Sequence, residues 1–514
     1  MSQPPSFPFS LTGIELDRRK GLSRQLYEAM RVRILDGRLS SGTRLPASRD
    51  LAQSLGISRN SVMRAYDQLY AEGFTLGRIG DGTYVALLSG SAILGKKLST
   101  KVSTGLPTGL PTALSTKSQL SAENIGVEVI HSAAVERLER HHLNPPLAGA
   151  PRAFRVGVPA FDLFPFATWG RLYSAFWRKP DLALLGYGEA AGYPLLRELI
   201  AVYLRTSRGL QCAVEQIVIT SGAQQAISLC AQLLLEEGDG VAIENPGYRA
   251  AGHAFAVAGA KLHGIAVDEE GLCCHELERH PCKLAYVTPS HQYPTGVVMS
   301  LARRLELLAW AEKTRGWVVE DDYDGEYRYS GAPLAPLAAL DRSGRVLYVG
   351  TFGKIAYPGL RLGYLVLPAG LVEPFSRRRA VDMRHSEVST QAVMAGFIAA
   401  GHFQRHIRRM RRAALSRRNT LLSHWPNDIP GCAAMPKVVA GLHVAVRVDN
   451  LARETELIEK ANSVGVEISP LSSYWLPESS EPVDHRAGLV LGFAAVPEVD
   501  IVAALERLKQ VWRD

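Results

Sequence analysis

The sequence predicts two structural classes in one chain. A small helical module closed by a β-hairpin is followed by a large α/β domain with a mostly parallel sheet and a smaller C-terminal α+β portion. Three observations carry this reading. Residues 10–86 hold three short amphipathic helical stretches and a Gly-centred hairpin signal. Residues 99–121 are crowded with Ser, Thr, Gly and Pro. From residue 153 onward, apolar runs of strand length alternate with helical stretches, the pattern of a sheet covered on both faces. A length of 514 residues also exceeds one typical domain.

In the first module, Leu22, Leu26, Met30 and Ile34 recur every four residues and mark one face of a helix that Asp36-Gly37 ends. Ser48 caps a second short helix with Leu51, Ala52 and Leu55 inward, and Gly56 breaks it. Ser58 caps a third helix, whose apolar stripe is Val62, Tyr66 and Leu69 and whose stop is Gly73. Phe74-Thr75-Leu76 and Thr83-Tyr84-Val85 then form a hairpin around Gly80-Asp81-Gly82. Residues 87–152 read as a flexible linker, with a short helix near 132–141, because this composition buries too little apolar surface to offset its ordering entropy. In residues 153–514, strands are expected at 216–220, 241–244, 284–288, 317–320, 346–349 and 362–367. The smaller portion is expected from about residue 385.

Composition narrows the function classes. No run of 18 apolar residues occurs, which argues against a transmembrane helix, and the start lacks a secretory signal. The six cysteines have no paired spacing, so neither a metal site nor a disulfide framework is expected, and the cytoplasm is the expected location. Residues 1–85 carry 12 Lys and Arg against 8 Asp and Glu, so half of the net charge of +8 sits in the first module. A basic front end favours a polyanionic partner.

Two helices joined by a tight turn, the second opening Ser58-Arg59-Asn60-Ser61, make a helix-turn-helix. Its polar N-terminus suits the major groove of double-stranded DNA. Arg59, Asn60 and Arg64 lie off the apolar stripe and face base edges, with Ser58 at the helix start. Arg44, Ser48 and Arg49 are placed for phosphates, and Gly82 in the hairpin turn for the minor groove.

In the large domain, Lys354 stands in Gly350-Thr351-Phe352-Gly353-Lys354, just after the apolar run 346–349. Asp321 and Asp322 follow another run, and Arg361 lies beyond the lysine. A strand-end lysine, acid and arginine are what pyridoxal 5'-phosphate requires: a Schiff-base amine, a partner for the pyridine nitrogen and a phosphate anchor. Either Asp321 or Asp322 supplies the acid, and Tyr323 is placed for the ring hydroxyl. Thr220-Ser221-Gly222-Ala223-Gln224 joins a strand to a helix whose N-terminal amides suit an anion. Thr351 and Arg361 add a hydroxyl and a charged contact there, and Tyr248 is placed to stack on the ring.

The segments Gly42–Ala52, Leu55–Val62, Leu69–Phe74 and Gly80–Val85 closely resemble the GntR-type winged helix over residues 20–86. Residues 153–514 resemble fold-type I, aspartate-aminotransferase-like proteins, through Tyr187–Arg197, Ser290–Gly296, Glu320–Asp324 and the lysine segment. The combination is similar to the MocR/GabR (PdxR-like) subfamily of GntR regulators. That resemblance implies a homodimeric DNA-binding transcriptional regulator that senses pyridoxal phosphate or an amino compound through an internal aldimine at Lys354. It makes Asp321 the pyridine-nitrogen partner and lets Tyr187 reach the phosphate of the neighbouring subunit. The alternative is a working aminotransferase that carries a DNA-binding domain.

The sequence departs from the family pattern in three places. Gly353 stands where Ser is common before the lysine. Tyr293 replaces the Asn that bonds the ring hydroxyl, leaving His291 or Gln292, or neither, to compensate. In Leu489-Val490-Leu491-Gly492-Phe493, Val490 occupies the place of the arginine that clamps a substrate carboxylate. Arg486 and Arg249 are the nearby alternatives for that charge. The arginine-rich stretch 402–418 reads as a solvated connecting helix, with a DNA-backbone contact as a second reading.

Overall fold

The computed structural model describes residues 13–78, 81–86, 132–141, 149–329, 334–477, 479 and 481–513. The chain falls into two compact units, Met1–Ile125 and Gly126–Asp514.

In the first unit, α1 (Leu22–Leu35) buries Leu26, Met30 and Ile34 against α2 (Ser48–Leu55) and α3 (Arg59–Ala71). The four-residue apolar spacing on α1 and the Val62, Ala65, Tyr66 and Leu69 stripe on α3 form one core. Gly56 ends α2 in the left-handed conformation, φ 60°. Ser58 caps α3, its hydroxyl accepting from the Ser61 amide at 3.1 Å. Ser48 does not cap α2. Ala47 takes that position, and the Ser48 hydroxyl instead accepts from Arg59 Nε at 3.2 Å, joining the two helix starts. The hairpin pairs β1 (Thr75–Arg78) antiparallel with β2 (Gly82–Val85), so Gly82 is the first strand residue rather than a turn residue.

The second unit opens with α4 (Ala133–Arg140), α5 (Phe166–Arg178), α6 (Pro194–Arg208), β3 (Ile217–Thr220), α7 (Ala223–Leu234), β4 (Gly240–Asn245) and α8 (Arg249–Val257). It continues with β5 (Lys261–Asp268), β6 (Gly271–Leu272), β7 (Cys282–Val287), α9 (Leu301–Thr314), β8 (Trp317–Asp322), α10 (Leu337–Leu340), β9 (Val346–Thr351) and β10 (Gly363–Val366). Then come α11 (Val372–Met383), α12 (Val388–Ala399), α13 (His402–His424), β11 (His443–Arg447), α14 (Leu451–Ser463), β12 (Ser469–Pro470), β13 (Gly488–Gly492) and α15 (Glu498–Trp512).

The large sheet has the order β3-β10-β9-β8-β7-β4-β5-β6. Its centre, from β9 through β8, β7 and β4 to β5, is parallel, while β10 runs antiparallel to both β3 and β9. All six expected strands are present within about two residues. β5 escaped the sequence reading because only one of its eight residues is fully buried, so no apolar run marks it.

Two findings revise the expected boundaries. The helix expected near 132–141 is α4, and it is docked rather than free. Arg137 donates to the Val257 carbonyl at 3.1 Å and pairs with Glu237 at 3.2 Å. The rest of the expected linker, 87–131 and 142–148, lies outside the described residues. The small portion does not begin near 385, because α12 packs its Val393, Met394, Phe397 and Ile398 into the core of the large sheet. The boundary falls inside α13, whose Phe403 and Ile407 join that core while Leu421 joins the core of the small sheet β11-β13-β12. Phe154, from the start of the domain, is also buried in the small core and bridges to Gly492.

Within the basic stretch on α13, Arg405, Arg408, Arg409 and Arg412 are exposed, and the other three arginines are structural. Arg411 donates to the Glu326 carbonyl at 2.7 Å, Arg418 to the Val438 carbonyl at 2.8 Å, and buried Arg417 to the Ala494 carbonyl at 2.7 Å and to Asp162 at 2.6 Å. These bonds hold the helix against both subdomains. Phe154→Ala should cost about 3–5 kcal/mol by leaving a cavity where the small core meets the chain entry. Urea denaturation followed by tryptophan fluorescence checks this, since Trp425 and Trp512 lie in the same core.

Candidate functional site

The carboxyl ends of the parallel strands converge on one pocket, as open α/β sheets dictate. Its empty volume is about 790 Å³, part of it open to solvent. Gly222, Ala223 and Gln224 reach it after β3, Tyr248 after β4, Tyr293 after β7, Asp321 and Tyr323 at the end of β8, and Thr351, Lys354 and Arg361 after β9. Two neighbouring strands, β8 and β9, contribute the three charged groups, which is why residues far apart in sequence meet here.

Strand alternation settles which acid faces the pocket. Asp322 points the other way, into a buried ion pair with Arg208, and accepts from Tyr348 at 2.6 Å. Asp321 lines the pocket. Its Oδ2 accepts from Tyr286 at 2.7 Å, while its Oδ1 is buried and without a partner. Burial pushes this carboxyl up to about 7, against the lowering effect of the Tyr286 bond. Lys354 Nζ donates to the Gly157 carbonyl at 2.8 Å. Burial holds its amine below the usual lysine value, against the pull of Asp324 and Asp321. Gly157 has φ +78°, and a Cβ there would lie 3.0 Å from Lys354 Nζ.

At the opposite end, Gly222 caps α7 with φ 85° and lies against the Arg361 guanidinium, 3.4 Å from where its Cβ would be. Arg361 also donates to the Ser221 carbonyl at 2.9 Å. Ser221 itself does not line the pocket. Its carbonyl orients Arg361, and its amide donates to Gln225 at 2.7 Å. The Thr351 hydroxyl accepts from the Gly353 amide at 3.1 Å. Gln224 donates to the Ala250 carbonyl at 2.9 Å and accepts from Tyr248 at 3.5 Å, and burial pushes the Tyr248 phenol up to about 12.

Tyr323 lines the pocket, but its proton is committed. The hydroxyl donates to the His291 carbonyl at 2.8 Å and lies 3.0 Å from His291 Nδ1. Neither His291 nor Gln292 fills the place left by the missing asparagine. Gln292 is buried on Glu244 and the Pro246 carbonyl. His291 is paired with Asp324 at 3.0 Å and packed against His443 of β11, ring centroids 4.6 Å apart. Sequence reasoning missed this His291, Asp324 and His443 cluster, and Gly157 with it, because the partners lie on segments far apart in the chain. Tyr187, 91% exposed, lies outside the pocket of its own protomer.

In the first unit, Arg59, Asn60 and Arg64 are exposed along α3, Arg49 is exposed on α2, and Ser58 holds the cap. Arg44 is exposed yet tied to the hairpin, donating to the Asp81 carbonyl and lying against Gly82.

A helix-turn-helix with a β-hairpin wing, joined in one chain to an aminotransferase-type fold, defines a transcriptional regulator of composite architecture. Residues 22–85 match the bacterial regulatory proteins of the gntR family, and residues 181–480 match aminotransferase class I and II. The chain is 36% identical over 507 residues to the probable rhizopine catabolism regulatory protein MocR of Rhizobium meliloti, covering 97% of this chain and 95% of that one. It is 30% identical to the HTH-type pyridoxine biosynthesis transcriptional regulator PdxR of Corynebacterium glutamicum, covering 92% of each. Among solved structures, an archaeal alanine:glyoxylate aminotransferase is similar with a TM-score of 0.64 and 26% identity over 75% of this chain and 96% of that one. The chain belongs to the MocR-type, gntR-family transcriptional regulators with an aminotransferase-like domain, and the cofactor of that domain is pyridoxal 5'-phosphate.

The pocket fits this group on two structural grounds. An unpartnered buried carboxylate oxygen on Asp321 suits a protonated ring nitrogen, and the helix start at Gly222 with Arg361 suits a phosphate. The raised Asp321 value sets a sign. In the cofactor-free protein, the folded state keeps a proton that the unfolded chain releases at 3.8, so stability falls as pH rises from there through about 7. Melting temperatures across this range should fall less in Asp321→Asn, and an unchanged slope would contradict the assignment. Gly157→Ala should weaken cofactor binding about tenfold, since its methyl group meets Lys354 Nζ and its φ is strained. A cofactor titration followed by visible absorption measures this.

Proposed function

We propose that the pocket is the sensor of this regulator. Pyridoxal phosphate held by Lys354, Asp321 and Arg361 responds to an amino compound, or its own occupancy is the signal, and DNA binding follows. The observation that carries this reading is the pairing of a buried, half-satisfied Asp321 with a desolvated Lys354 in a chain that also bears a winged helix. When bound, the cofactor supplies an electrophilic carbon that an amine nitrogen can attack. The chain's own residues do the rest. Lys354 would hold that carbon, Asp321 would hold a proton on the ring nitrogen, and Arg361 with the Gly222–Gln224 amides would fix the phosphate. The Gly157 carbonyl accepts from the free lysine amine.

The output on DNA is assigned to Ser58, Arg59, Asn60 and Arg64 at base edges and to Arg44, Ser48 and Arg49 at phosphates, with Gly82 in the wing. A homodimer in the cytoplasm is part of the proposal. Tyr187 is almost fully exposed in the protomer, which suits a role at a neighbouring subunit's phosphate site. Among the described residues, no helix is long and apolar enough to cross a membrane. Efficient transamination of common amino acids is not part of the proposal, because fully buried Val490 occupies the place of the carboxylate-binding arginine.

Visible absorption and a DNA-shift assay, run on wild type and Lys354→Ala, test this together. The wild type should show bound cofactor and cofactor-dependent DNA binding, and the variant should lose both the band and the dependence. Wild-type protein that binds no cofactor would overturn the proposal.

A further inference from the structure

The small sheet turns one face toward the pocket, and the one cation at its described register positions, Arg447 opposite Gly488 at the far end of β11, is exposed and donates to the His485 carbonyl outside the pocket. Along β13, Leu489 and Leu491 point into the core of the small subdomain, so Gly488, Val490 and Gly492 point the other way. Register places Val490 opposite Ala445 on β11 and opposite Ser469 on β12, with His443 opposite Gly492. His443 identifies this as the pocket side, because its ring lies 5.2 Å from that of the lining residue Tyr293 and 4.6 Å from that of His291.

The guanidinium groups that sequence reasoning offered as substitutes are engaged elsewhere. Arg486 donates to the Ser479 carbonyl at 2.6 Å and to the Glu481 carbonyl at 2.7 Å. Arg249 donates to the Trp475 carbonyl at 2.6 Å. Among the described lining residues the cations are Lys354 and Arg361, and both are assigned to the cofactor. What remains beside Lys354 is neutral. The Tyr293 hydroxyl donates to that of Tyr474 at 3.3 Å, and Tyr248, Tyr323 and Thr288 complete the wall. His443 donates to the Pro294 carbonyl at 3.1 Å, and burial pushes its imidazole well below the usual value, so it offers no positive charge at neutral pH.

We infer that the effector of this pocket is a primary amine that carries no carboxylate beside its nitrogen, its body being uncharged and either aromatic or hydroxylated. This rests on the cofactor-sensor reading above. A carboxylate placed against this wall would be buried without a counter-charge, whereas an amine body meets aromatic faces and phenol hydroxyls. The exchange needs no oxidant. With the cofactor bound, the incoming nitrogen would form the double bond to the cofactor carbon as the double bond from that carbon to Lys354 Nζ breaks, and the two protons lost by the incoming nitrogen would end on Nζ. The freed amine then has the Gly157 carbonyl as its acceptor.

Matched pairs that differ only by the carboxylate test this on cofactor-loaded wild-type protein. The pairs are 2-phenylethylamine against phenylalanine, and ethanolamine against serine. The half-point of the visible spectral change should fall at a concentration at least about tenfold lower for the amine of a pair. Amino acids that match or surpass their amines would overturn the inference, as would loaded protein that responds to neither member of either pair. Both outcomes leave the cofactor reading standing. Failure of the protein to bind pyridoxal phosphate at all would instead strike that reading itself.

Discussion

The site is organised by one carboxylate that burial leaves half satisfied. Asp321 sits at the end of a central parallel strand, with one oxygen on Tyr286 and the other without a partner. A charged carboxylate in that position is costly unless a cation or a donated proton meets it. The fold therefore builds in a demand that a protonated ring nitrogen answers. Everything else in the pocket is arranged at fixed reach from that oxygen, because each lining group leaves the same edge of one sheet. The neighbouring Asp322 shows the contrast. It is satisfied by Arg208 and Tyr348 and serves the core.

Much of this was legible in the sequence. The helix-turn-helix showed itself through four-residue apolar spacing and through Ser58, whose cap the structure contains. The parallel strands showed themselves as short apolar runs, because strands covered on both faces have no polar side to display. Lys354 and Arg361 could be placed from position alone, since loops after such strands gather at one edge.

What was not legible depends on long-range packing. Nothing local distinguishes Asp321 from Asp322 until β8 has a face on each side. The cap at Ala47 rather than Ser48 depends on Arg59 drawing the Ser48 hydroxyl across the helix pair. The domain boundary lay hidden in a continuous helix, because α13 serves two cores with one unbroken stretch. His291, Asp324 and His443 come together from three segments, and only the closed structure shows that Tyr323 gives its proton to that cluster. Of the seven arginines of α13, which read as solvated charge, Arg411, Arg417 and Arg418 turn out to be bonded to carbonyls of both subdomains, while the other four are exposed.

The measurement closest to the central claim is a crystal structure of the cofactor-loaded protein. The account predicts the pyridine nitrogen about 2.6–2.9 Å from Asp321 Oδ1, with the Tyr286 bond to Oδ2 retained. A ring whose nitrogen meets another group, or an Asp321 that has turned away to a protein donor, would contradict it.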